Sequence, residues 1–118
     1  MTQEHKQLLL KDLCARLPYG VKVELTKYKQ KCLLCGIDGE DLYLNIDSDP
    51  FSLRDFDIKP YLRPMSSMTE EEKKEAMTLN FIDMFGYIDF LLEHHFDYRG
   101  LIEKGLALEA PEDMYKTE

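Results

Sequence analysis

The chain predicts an α+β fold: an N-terminal helix, a small antiparallel sheet of three to five strands, and a C-terminal helical region packed on it. Three observations carry this expectation. Apolar residues recur at three- and four-residue spacings over 3–17 and again over 70–96. They alternate with charged residues over 21–25, and Asp38-Gly39 separates two apolar runs at 28–37 and 41–46. A helix followed by short strands also suits a small barrel of the Sm or SH3-like kind, which is the alternative fold.

With 118 residues, one domain spanning 1–118 is expected. The helix and sheet fall in 1–65, the helical region in 66–110 and a solvated tail in 111–118. In the first helix, Leu9, Leu10, Leu13, Cys14 and Leu17 form an apolar stripe, while Lys6, Lys11, Asp12 and Arg16 occupy other faces. Cys14 on that stripe reads as a small buried hydrophobe. Pro18 and Gly20 stop the helix.

Val21, Val23 and Leu25 alternate with Lys22 and Glu24, the pattern of a half-buried strand. Asp38-Gly39 then reads as a hairpin turn whose two positions take positive φ, so 28–37 pairs antiparallel with 41–46 and 21–25 lies beside them. The segment 47–64 is loop-rich. Phe51, Leu53, Phe56 and Ile58 add one irregular or edge strand, limited by Pro60 and Pro64.

From Ser66 the pattern becomes helical. Thr69-x-x-Glu72 is a capping box, and Glu70, Glu71 and Glu72 set negative charge at the positive end of the helix dipole. Met77, Phe81, Met84, Ile88, Leu91, Leu92 and His95 continue one face, as a single bent helix or as two, about 70–78 and 81–96, with Asn80 capping the second. Gly86 weakens the helix or permits close packing. Arg99-Gly100 ends it in a left-handed cap, and 101–105 form a short turn closed by Gly105.

Composition narrows the class. An apolar fraction of 44% and an aromatic fraction of 11% are those of a globular protein. No apolar run approaches the roughly 20 residues that cross a bilayer. The N-terminus lacks the apolar core and cleavage site of a signal peptide. Three cysteines make no disulfide framework, so a reduced, cytoplasmic protein is expected.

The net charge of −8 is unevenly placed. Residues 1–63 hold ten basic and ten acidic side chains, whereas 64–118 hold five basic and thirteen acidic. So acidic a half argues against broad nucleic-acid binding, which relies on neutralising phosphates. The expected interaction surface is acidic: Glu70, Glu71, Glu72, Glu75, Asp83, Asp89 and Glu93, facing a basic protein partner.

Four stretches hold residues capable of chemistry. Cys32-x-x-Cys35-Gly has the opening of a zinc knuckle or a redox motif. A closed zinc site needs four ligands, no second pair is spaced to supply them, and a redox thiol would open a helix rather than close a strand. Cys32 is therefore expected to face the core with Leu34, and Cys35 to face away. Lys27, Lys29 and Lys31 alternate with Tyr28 along a strand and form the one candidate nucleic-acid face, with Tyr19 nearby as further stacking surface; the alternative use of such lysines is to blunt a sheet edge. "HHFDYRG" offers His94, His95, Asp97, Tyr98 and Arg99. His95 with Asp97 suggests a general base and Arg99 an anion clamp, whereas cationic histidines also simply suit a helix C-terminus. Asn45, Asp47 and Asp49 start like a calcium loop, but Pro50 and Phe56 stand where it needs glycine and a carboxylate, so a turn is expected. No metal site, cofactor site or catalytic set is assigned.

The stretches "LLLKDLCARLPYGV" (8–21), "IKPYLRPMSSMTEEEKKE" (58–75) and "HFDYRGLIEKGLALEAPEDMY" (95–115) resemble a family of small proteins without an assigned activity, encoded by phages, prophages and mobile elements of gut anaerobic bacteria of Bacteroidales type. The resemblance covers 53 of the 118 residues. It implies an accessory gene product in a bacterial cytoplasm and transfers no catalytic residue. Together these readings point to a non-enzymatic protein acting through protein–protein contact at its acidic half, with an anti-defence role as one use. The alternative is a small-barrel nucleic-acid binder using the Lys27/Lys29/Lys31 face, and an enzyme built on His95, Asp97 and Arg99 comes third.

Overall fold

Residues 2–46 and 49–115 are described by the structure, a computed structural model. Helix α1 (Gln3–Arg16) starts where the Thr2 hydroxyl accepts the His5 amide at 3.0 Å, and ends as Leu17–Tyr19 tighten into a 3-10 turn closed by Gly20 at φ 74°. The stripe it buries is Leu9, Asp12, Leu13 and Arg16. This differs from the expected stripe: Cys14 is exposed, whereas Asp12 and Arg16 are fully buried. The spacing is helical, but two of its members are charged. Because the two sit one turn apart, they neutralise each other inside the protein.

Strands β1 (Lys22–Leu25), β2 (Gln30–Asp38), β3 (Asp41–Leu44), β4 (Phe51–Ser52), β5 (Ile58–Leu62) and β6 (Leu108–Glu109) form one sheet in the order β4-β3-β2-β1-β5-β6. That linear order, with β4 and β6 as open edges, is not the closed barrel of the alternative fold. The sheet is also larger than expected. All neighbours are antiparallel except β5 and β6, whose parallel pairing requires the long helical crossover between them.

The hairpin between β2 and β3 forms as expected, one residue further on. Asp38 pairs with Asp41, so the turn residues are Gly39 and Glu40, and only Gly39 takes positive φ, at 63°. Upstream, the register shifts between Leu34 and Gly36, leaving Cys35 as a bulge. The bulge has a packing purpose. Strict alternation would turn Ile37 outward, and the extra residue returns it to the face shared by Cys32 and Leu34. Cys32 is buried and Cys35 exposed, so the two thiols lie on opposite faces as expected.

Strand β5 is interior, not an edge, despite Pro60. The Thr26 amide donates to the Asp57 carbonyl at 3.0 Å, which makes that pair hydrogen-bonded. Alternation then makes Val23–Pro60 a non-hydrogen-bonded pair, so the missing N–H faces away from β1. Pairing with β6 begins only at Tyr61, so the proline interrupts neither ladder.

One face of the sheet and α1 enclose the main core: Leu9 and Leu13 against Val21, Val23, Leu25, Leu34, Leu42, Ile58 and Leu62, closed at one end by Leu101, Leu106 and Ala107. A second, smaller cluster lies beyond it. Helix α2 (Glu70–Ile82) carries the capping box, with Thr69 accepting from Glu72 and the Glu72 carboxylate from the Thr69 amide. Helix α3 (Met84–Glu93) follows after a single extended residue, Asp83, at φ −155°. The break lies at Asp83 rather than near Asn80. Ala76, Phe90, Leu91 and Phe96 form the small cluster that holds the two helices together. Helix α3 ends at Glu93, earlier than the expected stop at Arg99-Gly100, because His95 itself turns left-handed at φ 60°. Among the described residues no helix is long and apolar enough to cross a membrane.

Candidate functional site

The "HHFDYRG" segment meets α1 and the C-terminal segment, and its polar groups go to separate places. The buried Arg16 donates to both oxygens of Asp12, at 2.7 and 3.2 Å, and to the Phe96 carbonyl at 2.6 Å. Arg99 reaches the same carboxylate at 3.1 Å, so the residue read as an anion clamp already holds Asp12. The Asp97 carboxylate accepts the amides of Leu101 and Ile102, at 2.7 and 3.0 Å, and so orders the turn that follows. Tyr98 lies beneath both guanidinium groups, at 5.9 Å from Arg16 and 4.9 Å from Arg99.

His95 Nε2 lies 3.2 Å from the Tyr19 carbonyl, which fixes the proton on that nitrogen, and buried Nδ1 has no partner among the described residues. Burial, together with the nearby Arg16 charge, pulls its pKa down to about 4. Its ring packs on Tyr115 at 4.1 Å between centroids. The Tyr115 hydroxyl donates to the Tyr61 carbonyl at 2.8 Å and accepts the Lys22 amide at 2.9 Å, and burial pushes its pKa up. The expected solvated tail is therefore docked as far as Tyr115. His94 instead turns toward Glu72, 3.7 Å away, and packs on Phe90. His95, Asp97 and Arg99 thus join separate pieces of chain and do not converge on a reacting position.

The three lysines do not share a strand face. Thr26–Tyr28 form a 3-10 turn, Lys29 is left-handed at φ 49°, and β2 starts only at Gln30. The chain must reverse between β1 and β2 within four residues, and that reversal removes Lys27, Tyr28 and Lys29 from the ladder. Lys31 alone is in the sheet, opposite Glu24 and 5.9 Å over the Tyr61 ring. No glycine or asparagine marks this turn in the sequence, which is why the strand reads as starting too early. Asp47 of the 45–50 turn lies outside the described residues.

The acidic residues fare differently. Glu70, Glu71, Glu75, Asp83, Asp89 and Glu93 are exposed. Glu72 is not part of that surface. It is gripped by Arg63 at 2.8 and 2.9 Å and by the Thr69 amide, which holds its carboxyl down at about 2.

Between the carboxylates lies what the sequence pattern concealed. At the bend joining α2 and α3, Phe81 is 90% exposed, Phe85 86%, Met77 73%, Ile82 69% and Met84 66%. Met77, Phe81 and Met84 were expected to share one helical face with Leu91, Leu92 and His95, and the structure divides that face: the first three are exposed and the last three buried. α2 packs through Ala76 and Leu79, so its apolar stripe turns outward, while beyond Asp83 the direction of α3 changes and Phe90, Leu91 and Leu92 go in. Gly86 lets the Asp83 side chain lie close against the first turn of α3. A Cβ there would lie 2.6 Å from the Asp83 carboxylate. Beside this elbow, Met65, Met68, Met77 and Tyr87, with Lys73 and Asn80 at the polar side, line a shallow groove of about 200 Å³.

No protein-family model, curated protein or solved structure matches the chain.

Proposed function

We propose that this protein is a non-enzymatic interaction module that grips a protein partner at the α2–α3 elbow. One observation carries the reading: five large apolar side chains within nine residues, two of them phenylalanines, stand in solvent on the outside of a well-formed helical pair. Apolar patches rimmed by polar groups are the usual mark of a protein contact. Burying each ring would contribute about 1.5–3 kcal/mol, so two rings with their neighbours make an adequate anchor. The exposed carboxylates of Glu70, Glu71, Glu75, Asp83 and Asp89 outnumber the exposed Lys73 and Lys74 on the same two helices and suit a partner carrying lysine or arginine. The resemblance to proteins of phages and mobile elements adds a context, an accessory protein in a bacterial cytoplasm that occupies a host or phage protein, with anti-defence as one such role. The nucleic-acid alternative loses support, because only Lys31 of its lysines lies on the sheet.

Affinity capture from host lysate tests this. Wild-type protein should retain a partner that the Phe81→Glu/Phe85→Glu variant loses, while Lys27→Glu/Lys29→Glu retains it. Equal capture by the elbow variant would overturn the reading.

A further inference from the structure

The elbow also specifies what kind of partner fits it. Resting on the reading above, we infer that the occupant is a basic amphipathic α-helix, laid along α2 with a bulky apolar side chain in the groove between Met65, Met68, Met77 and Tyr87.

Three features support this occupant. The first is the lining. Met65, Met77 and Met84 are exposed around the elbow and Met68 is half-buried beside them. Methionine side chains are unbranched and polarisable and can reshape around different apolar anchors, which suits a helix face better than one fixed side chain. The second is size. α2 has 13 residues, a length of about 20 Å at 1.5 Å per residue, which matches the i, i+3/i+4, i+7 anchors of a partner helix of three to four turns. The groove of about 200 Å³ has room for one large side chain from such a helix.

The third feature is charge. Glu70, Glu71 and Glu75 line α2 together with the exposed Lys73 and Lys74, while Asp83 and Asp89 lie at and beyond the bend, so carboxylates outnumber ammonium groups and the surface is net acidic. Of these, only Glu70 has a cation within ion-pair distance among the described residues, Lys73 at 3.5 Å. The flanking carboxylates would meet the lysines and arginines beside the apolar stripe of a basic helix. A second copy of this chain docked about a two-fold axis would bring two surfaces of the same net negative charge together. An anionic lipid surface would repel them.

Fluorescence anisotropy with three labelled peptides of about 15 residues, long enough for four turns, tests the inference: an amphipathic Leu/Lys helix, a scramble of the same composition with no apolar face, and a Leu/Glu helix. The Leu/Lys helix should bind at least about tenfold tighter than either control, and Met77→Glu/Phe81→Glu should remove about that factor with unchanged circular dichroism. Equal binding of the scramble would overturn the inference, since charge alone would then suffice. Unchanged binding to the variant would also overturn it. So would sedimentation showing a wild-type dimer that Phe81→Glu dissolves, because the occupant would be a second copy. If lysate capture depends on Phe81 and Phe85 but the Leu/Lys helix shows no preference, the helix assignment falls and the elbow reading stands. If neither depends on the elbow, both fall.

Discussion

The sheet with α1 and the α2–α3 elbow are built from similar apolar side chains arranged in opposite ways. In the first region every leucine or valine on the inward face is covered, and even the charged residues on the α1 stripe are drawn in and neutralised. In the second, the covered face of α2 is narrow, with Ala76 fully buried and Leu79 half-buried, while Met77, Phe81 and Ile82 face water. A helix needs only one buried stripe to stay attached. α2 has that stripe, a capping box and the Arg63–Glu72 pair, so its second apolar stripe is surplus to folding.

The contrast can be broken most directly with substitutions whose effects should differ between the regions. Asp12→Ala leaves Arg16 and Arg99 with uncompensated charge under the core and should cost about 3–5 kcal/mol in urea unfolding. Leu13→Ala, on the same helix, should cost about 2–5 kcal/mol through the cavity it opens. Phe81→Ser, although it removes a whole aromatic ring, should stay within about 0.5 kcal/mol of wild type, because an exposed ring contributes little to the fold. A loss at Phe81 comparable to that at Leu13 would mean that the elbow is part of the core.

A separate effect, read in pH, sharpens the description of the sheet side. His95 is held neutral with its pKa lowered to about 4, whereas in the unfolded chain it titrates near 6.5. The unfolded state therefore binds the additional proton between those values. Stability should fall as pH drops from about 6.5 toward 4, by on the order of 3 kcal/mol. Glu72, held at about 2 against an ordinary 4.5, extends the loss to lower pH, since protonating it releases Arg63. Replacing His95 by Asn, which tolerates the left-handed backbone, should flatten the slope between pH 6.5 and 4 and leave the acid limb of Glu72 in place. An unchanged slope would mean that the His95 ring is not buried as described.

Much of the sheet region was legible from residue order. Alternation at Val21, Val23 and Leu25 and the glycine turn at Gly39 are local signals, and both locate their strands. The misses have physical causes. β6 is two residues long, and its partner lies some 47 positions earlier, so no local pattern announces it. Asp12 and Arg16 read as solvent-facing because a charged residue on a helical stripe is normally exposed, and only the tertiary pairing with Phe96 and Arg99 reverses this. At the candidate site the acidic residues were legible, since six of seven are exposed, but the apolar elbow was not. Periodicity places Met77, Phe81 and Met84 on one stripe without saying whether that stripe faces the protein or the solvent. One clue was present. Asp83 and Gly86, both weak helix formers, fall within the segment that carries the stripe, and a break there separates a stripe into one part that packs and one that does not.

The elbow can be tested most directly by amide hydrogen exchange on the protein alone and with its captured partner. Protection gained on binding should be confined to residues 65–89, strongest at Met77, Phe81 and Phe85. Protection gained instead over β1 and β2, with none at 65–89, would contradict the elbow as the contact surface and return attention to the sheet.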